Sequence, residues 1–164
     1  MQKIIILILI YAIFFSCYSY SQTKIRYTNQ ELTSSVHVAL GVPVDCDTTD
    51  DLIIIRKQYV LSYNKNKNVA NWVAWNLNED WFGDVPRYKG KFKTDTSLPE
   101  DCYHVRHEDY SNSGYDRGHM VRSEERTKSK EDNLTTFFLT NILPQTPDLN
   151  QGVWLNLEYY CEKL

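Results

Sequence analysis

Asp116, Arg117, Gly118 and His119 set an acid, a permanent cation, a flexible link and a near-neutral base on four consecutive positions, directly behind the polar run Ser111-Asn112-Ser113-Gly114-Tyr115. Histidine is the side chain whose ordinary pKa lies closest to neutrality, so His119 is a candidate general base. The planar fork of Arg117 suits phosphate oxygens. Gly118 allows the backbone to approach a ligand more closely than any other residue would. Together these types point to chemistry on a phosphate ester.

The residues that would complete such a site lie further along the chain. Asp148 or Asn150 is expected to cap a helix running to Lys163. Glu158 follows Asn150 by eight residues on it, about 80° around the axis. Both can project toward the side where the segment carrying His119 packs. One amide oxygen, one carboxylate and water form a ligand set that suits a hard cation, because Mg²⁺ retains several waters. The pattern predicts a phosphodiesterase site with a single metal, Mg²⁺ or another divalent cation such as Mn²⁺, and His119 as base.

Other elements must hold these groups in place. Leu52 to Tyr63 is rich in Ile, Leu, Val and Tyr and is expected as one strand. Residues 64–68 are expected as a turn and Val69 to Leu77 as the returning strand. Val69, Trp72, Ala74 and Trp75 do not alternate cleanly, which suggests cover on both faces. Residues 23–50 are polar and turn-rich, and an extended arm with short strands is expected there. Arg87, Lys89, Lys91 and Lys93 recur with period two and share one face of an extended segment. Two readings stand: a lysine-protected sheet edge and a phosphate-contacting strip. Residues 123–132 are expected as a short helix or loop, and Leu134 to Leu143 as a strand ending at Pro144. His37, His104 and His107 sit in no motif and are assigned to packing or the surface.

Three ordered motifs, Asp116 to His119, Thr140 to Gln145 (TNILPQ), and Asp148 to Trp154 with Leu157-Glu158, resemble the DNA/RNA non-specific endonucleases. Asn71 to Trp75 and Val85-Pro86-Arg87 are similar to that family as well. The resemblance covers roughly residues 50 to 164 and implies an α+β, ββα-metal fold with antiparallel sheet and a metal-site helix. It further implies hydrolysis of phosphodiester bonds in DNA and RNA with little sequence preference, as contacts to phosphate rather than base edges allow. His119 would be the base and Asn150 the direct ligand of the metal. Glu158 would hold water in the metal's shell, and Asp116 would orient the site from behind. Arg117 and Arg87 would neutralise phosphate charge, with Asn141 supporting the substrate side by hydrogen bonding. Two departures stand out. Glu162 occupies a helix position where the family often carries a phosphate-clamping Arg. The chain also ends at Leu164, where family domains continue, so residues 51–164 read as the N-terminal portion of such a domain. A truncated, catalytically inactive relative that still binds nucleic acid or a partner is the alternative. A homodimer is left open.

Composition fits one globular domain: 164 residues, 42% apolar and 24% charged. The net charge of −3 argues against a surface coated in nucleic acid and leaves room for a local basic patch. Lys3 followed by apolar Ile4 to Phe15 reads as an export signal, too short to span a bilayer comfortably. A leader of residues 1–21, an arm of 22–50 and a secreted or periplasmic product are expected. Lipidation at Cys17 is disfavoured by the Phe14-Phe15-Ser16 that precedes it. Of the remaining cysteines, Cys46 and Cys102 are the preferred disulfide, with Cys161 left as a thiol. No Cys/His spacing suggests zinc.

Overall fold

A computed structural model of the chain describes residues 23–24, 27–44 and 47–164. The expected leader of residues 1–21, with Cys17, lies outside them, as does Cys46. Among the described residues no helix is long and apolar enough to cross a membrane. Cys102 and Cys161 are free thiols, the first buried and the second half-buried.

An antiparallel meander forms the body of the molecule. Strands β1 (Thr23–Lys24), β2 (Leu52–Arg56), β3 (Val60–Asn64) and β4 (Val69–Ala74) lie in that order across one sheet. The single strand expected over Leu52 to Tyr63 is in fact two. The chain reverses at residues 57–59, where the Arg56 N–H donates to the Tyr59 carbonyl at 2.9 Å. Polar partners far along the sequence hold this turn. Arg56 pairs with Asp95 at 2.5 Å, while Lys57 and Gln58 both donate to Asp132 at 3.0 and 2.8 Å. No local sequence signal announces such anchors.

Cover on both faces is what the structure shows, most fully at β3, where every residue is buried. On one side Ile54, Tyr59, Leu61 and Tyr63 pack with Leu98, Cys102 and Val121. On the other, Ile53 and Val60 meet Leu32 and Val38. Leu32 comes from helix α1 (Asn29–Thr33), which replaces the extended arm expected there. Its start is a reciprocal cap: the Glu31 N–H donates to the Thr28 hydroxyl at 3.1 Å, and the Thr28 N–H to the Glu31 carboxylate at 3.0 Å. Thr-x-x-Glu is a recognisable helix start.

The Asp-Arg-Gly-His stretch is itself a strand, β5 (Asp116–His119), paired antiparallel with β6 (Ile142–Gln145). Gly118 has a local reason: a Cβ there would collide with the Gln145 side chain on the facing strand. Before β6, the strand expected over Leu134 to Leu143 gives way to helix α2 (Lys130–Thr135) and a 3₁₀ turn over Leu139–Asn141. The Ser129 hydroxyl caps α2 by accepting from the Asp132 N–H at 3.0 Å. The cationic segment 87–93 runs beside residues 137–139 through a single bridge, with the Lys93 N–H donating to Phe137 O at 2.8 Å. Its period-two expectation holds locally: Arg87, Lys89, Lys91 and Lys93 are exposed, while Tyr88 and Phe92 are half-buried.

The last element is helix α3 (Trp154–Glu162), entered through a π-helical turn over Leu149–Val153. Neither Asp148 nor Asn150 caps it. The helical run opens at Pro147, and the Thr146 hydroxyl accepts from the Leu149 N–H at 3.3 Å. Proline at the first helical position after a threonine is itself a start signal. Asn150 is thereby free for other work.

Candidate active site

β5 with the segment after it, the π-helical turn and α3 line a cavity of about 280 Å³, and Arg87 lines it as well. His119 reaches it from the end of β5. Its ring lies 4.9 Å from Phe137, edge to face, and 5.4 Å from Phe92. Nε2 is sealed from solvent without a hydrogen-bond partner, which leaves Nδ1 as the ring nitrogen that water can reach. Burial, with Arg87 and Arg122 nearby, pushes the His119 pKa down to about 3. The imidazole is therefore neutral at physiological pH, the form a general base must have.

Asp116, at the start of β5, faces the π-helical turn. Its Oδ2 accepts from Asn150 Nδ2 at 2.9 Å and from Gln151 Nε2 at 2.8 Å. The Gln151 bond and then the Asn150 bond hold its carboxyl below the ordinary range. An ionised carboxylate can only accept, so it dictates which end of the Asn150 amide faces it. The amide nitrogen turns to Asp116, which leaves the carbonyl oxygen for another partner, and Asn150 lines the cavity.

Glu158 joins from α3. In an unbroken α-helix it would stand about 80° from Asn150. The π turn between them, which closes with the Trp154 N–H on Leu149 O, takes one more residue per turn. Less rotation per residue draws the two positions toward a common face. Both line the cavity. Burial pushes the Glu158 carboxyl up to about 7 despite Arg122, whose Nε lies 3.3 Å away. Trp154 is half-buried and donates to the His119 carbonyl at 3.1 Å, tying the helix to the strand.

The arginines supply the positive side. Arg117 does not pair with Asp116; its Nη2 donates to His107 O at 2.8 Å, and it lies beside the Tyr110 and Phe92 rings at 5.4 and 5.9 Å. Its Nε is buried without a partner. Arg87 lies 5.1 Å from the Phe137 ring, contacts Ser123 Oγ and pairs with Glu124 at 2.6 Å. Both line the cavity.

Asn141 does not. Fully buried, it donates to Val121 O at 3.1 Å and Thr136 O at 2.9 Å and accepts from the Val121 N–H at 3.1 Å. It braces the chain leaving β5, so its place on the substrate side is corrected to support from behind. His37, His104 and His107 serve packing. His37 bridges Lys57 O and the Asn76 N–H, His104 contacts Pro99 O, and His107 accepts from the Phe92 N–H.

Sequence reasoning missed Arg122, Glu124 and Gln151, all at the cavity. Arg122 sits three residues beyond the motif histidine, and no local pattern marks it. Its partners, Glu158 and Glu162, lie on a helix some forty residues away. Glu162 is thus already engaged, by Arg122 Nη1 at 2.9 Å.

A family model described as DNA/RNA non-specific endonuclease matches residues 40–164. The chain belongs to that family. A nuclease of Nostoc sp. (strain PCC 7120 / SAG 25.82 / UTEX 2576) is 48% identical over 134 residues, 79% of this chain and 48% of that protein. Human mitochondrial endonuclease G is 38% identical over 111 residues, 66% of this chain and 37% of its own. Among solved structures, a chain of an EndoG/EndoGI complex superimposes with a TM-score of 0.70 at 29% identity, covering 85% of this chain and 55% of that one. The resemblance read from the motifs is thereby borne out, and so is the α+β, ββα-metal fold. This endonuclease-family chain spans about half the length of the Nostoc relative and less of the human one.

Among the described residues no group of three or more His, Cys, Asp or Glu could hold a metal ion. The oxygen donors at the cavity include the Asn150 amide and the Glu158 carboxylate. That sparse, all-oxygen set fits a magnesium-type ion that keeps most of its water. It does not fit zinc, which favours closed sets of nitrogen and sulfur.

Proposed function

We propose that this chain carries the catalytic site of a divalent-cation-dependent endonuclease that cleaves the phosphodiester bonds of DNA and RNA with little sequence preference. One observation supports this most directly. A neutral His119, Arg87, Arg117 and an Asn150 whose amide nitrogen is held by Asp116 line the same cavity. His119 Nδ1 takes the proton of the attacking water. The aromatic wall of Phe92 and Phe137 keeps that nitrogen unprotonated until the reaction needs it. Asp116 fixes the Asn150 amide so that its oxygen is presented, and Asn150 with Glu158 would hold Mg²⁺ or Mn²⁺. Such an ion, when bound, supplies positive charge to the leaving 3′ oxygen. Arg117 and Arg87 stabilise the extra negative charge on phosphorus, Arg117 from a backbone-anchored position. None of these groups reads a base edge, which is consistent with acting on both nucleic acids. The expected residues 1–21 would direct the protein out of the cytoplasm.

Nicking of supercoiled plasmid and degradation of a structured RNA, each with Mg²⁺, with EDTA and with His119→Ala, tests the reading. Mg²⁺-dependent cleavage of both substrates that EDTA and the substitution abolish is expected. Cleavage that survives EDTA, or that His119→Ala leaves intact, refutes it.

A further inference from the structure

Arg122 lies at the hub of a charge network that the reaction outlined above leaves without a purpose. Its side chain is only 8% exposed, although it lines the cavity. Nε stands 3.3 Å from Glu158 Oε2, Nη1 2.9 Å from Glu162 Oε2, and Glu124 Oε2 is 3.7 Å away. Glu124 in turn holds Arg87 at 2.6 Å. The guanidinium also lies 5.0 Å from the Tyr159 ring. Arg122 therefore spans from the segment after β5 to two carboxylates one turn apart on α3.

We propose that Arg122 is a positioning residue for Glu158, anchored by Glu162, rather than a phosphate ligand. Three points carry this. The planar fork is already committed: one arm meets the carboxylate at the cavity and another meets Glu162 outside its lining, which fixes the guanidinium at both ends. Carboxylates already surround it, so a substrate phosphate would have to displace them. The exposed side of the cavity is served instead by Arg87, 46% exposed, whose single carboxylate partner leaves most of its donors available. Groups that hold a metal-side ligand in place typically matter about 10- to 100-fold in metal affinity or activity.

This rests on Glu158 serving a bound divalent cation, and the test separates the two ideas. Mn²⁺ binding is titrated by electron paramagnetic resonance on the wild type, Arg122→Gln and Arg122→Lys, with thermal unfolding as the check on folding. The sign of the change is diagnostic. On charge alone, deleting a cation beside a cation site tightens Mn²⁺ binding, and Arg122→Lys leaves it as in the wild type. Positioning requires the reverse. Both variants should bind Mn²⁺ about tenfold or more weakly, lysine included, because one ammonium cannot hold both carboxylates as the fork does. Plasmid cleavage should fall in kcat with KM for DNA unchanged, whereas loss of a phosphate ligand would raise KM. If Arg122→Gln binds Mn²⁺ as tightly as the wild type or more so, the positioning role is overturned and the metal reading stands. If the wild type binds no Mn²⁺, both fall. Should Arg122→Gln fail to fold, Arg122→Lys decides alone: wild-type Mn²⁺ affinity overturns the proposal.

Discussion

Replacing Asp116 by Asn tests how the site aims its own ligand. In the native site Asp116 Oδ2 accepts two amide N–H groups, from Asn150 at 2.9 Å and Gln151 at 2.8 Å. The carboxylate cannot donate, so only one orientation of the Asn150 amide is compatible with it. An asparagine at 116 keeps the shape but loses the charge and offers either an acceptor or a donor. Hydrogen bonds to a charged group contribute about 1.5–3 kcal/mol against roughly 0.5–1.5 for neutral ones, so about 1 kcal/mol is lost at each contact. Only the Asn150 contact turns that amide, so about 1 kcal/mol bears on it, a factor of roughly 5 in how firmly the carbonyl is turned away from Asp116. A flipped amide would aim its N–H₂ at the cation. Asp116→Asn is therefore expected to lower Mg²⁺-dependent plasmid nicking by about 5- to 10-fold and to raise the Mg²⁺ concentration needed for half-activity. Its thermal unfolding should stay close to that of the wild type. Gln151→Ala is the control: it removes one donor from Asp116 and leaves the Asn150 bond, so its effect should stay within about twofold. Asp116→Asn with wild-type activity and Mg²⁺ requirement would refute the orientation argument.

Four further outcomes are expected. His119→Ala should lower kcat by about 10²–10⁴, the usual share of a general base. Because burial lowers the His119 pKa to about 3, the acid limb of kcat/KM should follow the Glu158 carboxyl, which burial raises to about 7; a higher Mg²⁺ concentration competes with that proton and should move the limb to lower pH. Burial raises the Asp95 carboxyl, but Arg56 at 2.5 Å with Ser97 and Thr140 outweighs it, leaving the pKa below the ordinary value. That pair stabilises fully above the ordinary carboxylate range and less as pH falls through the lower folded value, so Arg56→Ala should cost about 3–5 kcal/mol near neutrality in urea unfolding, and less in strong acid. Gly118→Ala should cost about 1–3 kcal/mol by overpacking against buried Gln145, and a second change, Gln145→Ala, should recover part of it; an undisturbed melting temperature in Gly118→Ala would contradict the close approach of β5 and β6.

What could be read from the chain before its structure divides along a physical line. Asp116, Arg117 and His119 were legible because their chemistry is packed into one short strand, and Asn150 with Glu158 because a helix repeats on a fixed angle. What escaped was set by contacts between distant segments. The turn at residues 57–59 depends on Asp95 and Asp132, and Asn141 is held by carbonyls just beyond the ends of β5 and α2. Arg122 meets Glu158 and Glu162 only once the helix folds back on the strand. The start of that helix was misread for a different reason. Thr146-Pro147 carries a start signal as strong as Asp148 does, so Asn150, expected both as a possible cap and as the metal ligand, lies inside the helical run and does not cap it. The π turn then matters more than the boundary. With ideal α geometry, Asn150 and Glu158 diverge by about 80°, and a helix that brings only one of them to the cavity would leave the site half-built. A wider turn between Leu149 and Val153 corrects the angle without changing the sequence spacing. Deleting Gly152, the smallest residue of that turn, should restore a regular α-helix, and at the remaining seven-residue spacing Glu158 stands about 20° from Asn150, so Mn²⁺ affinity should be largely kept. Deleting Asn156 instead leaves the π turn and rotates Glu158 by about 100°, so affinity should fall. Equal affinities in the two variants would mean that the π turn has no part in aligning the two residues.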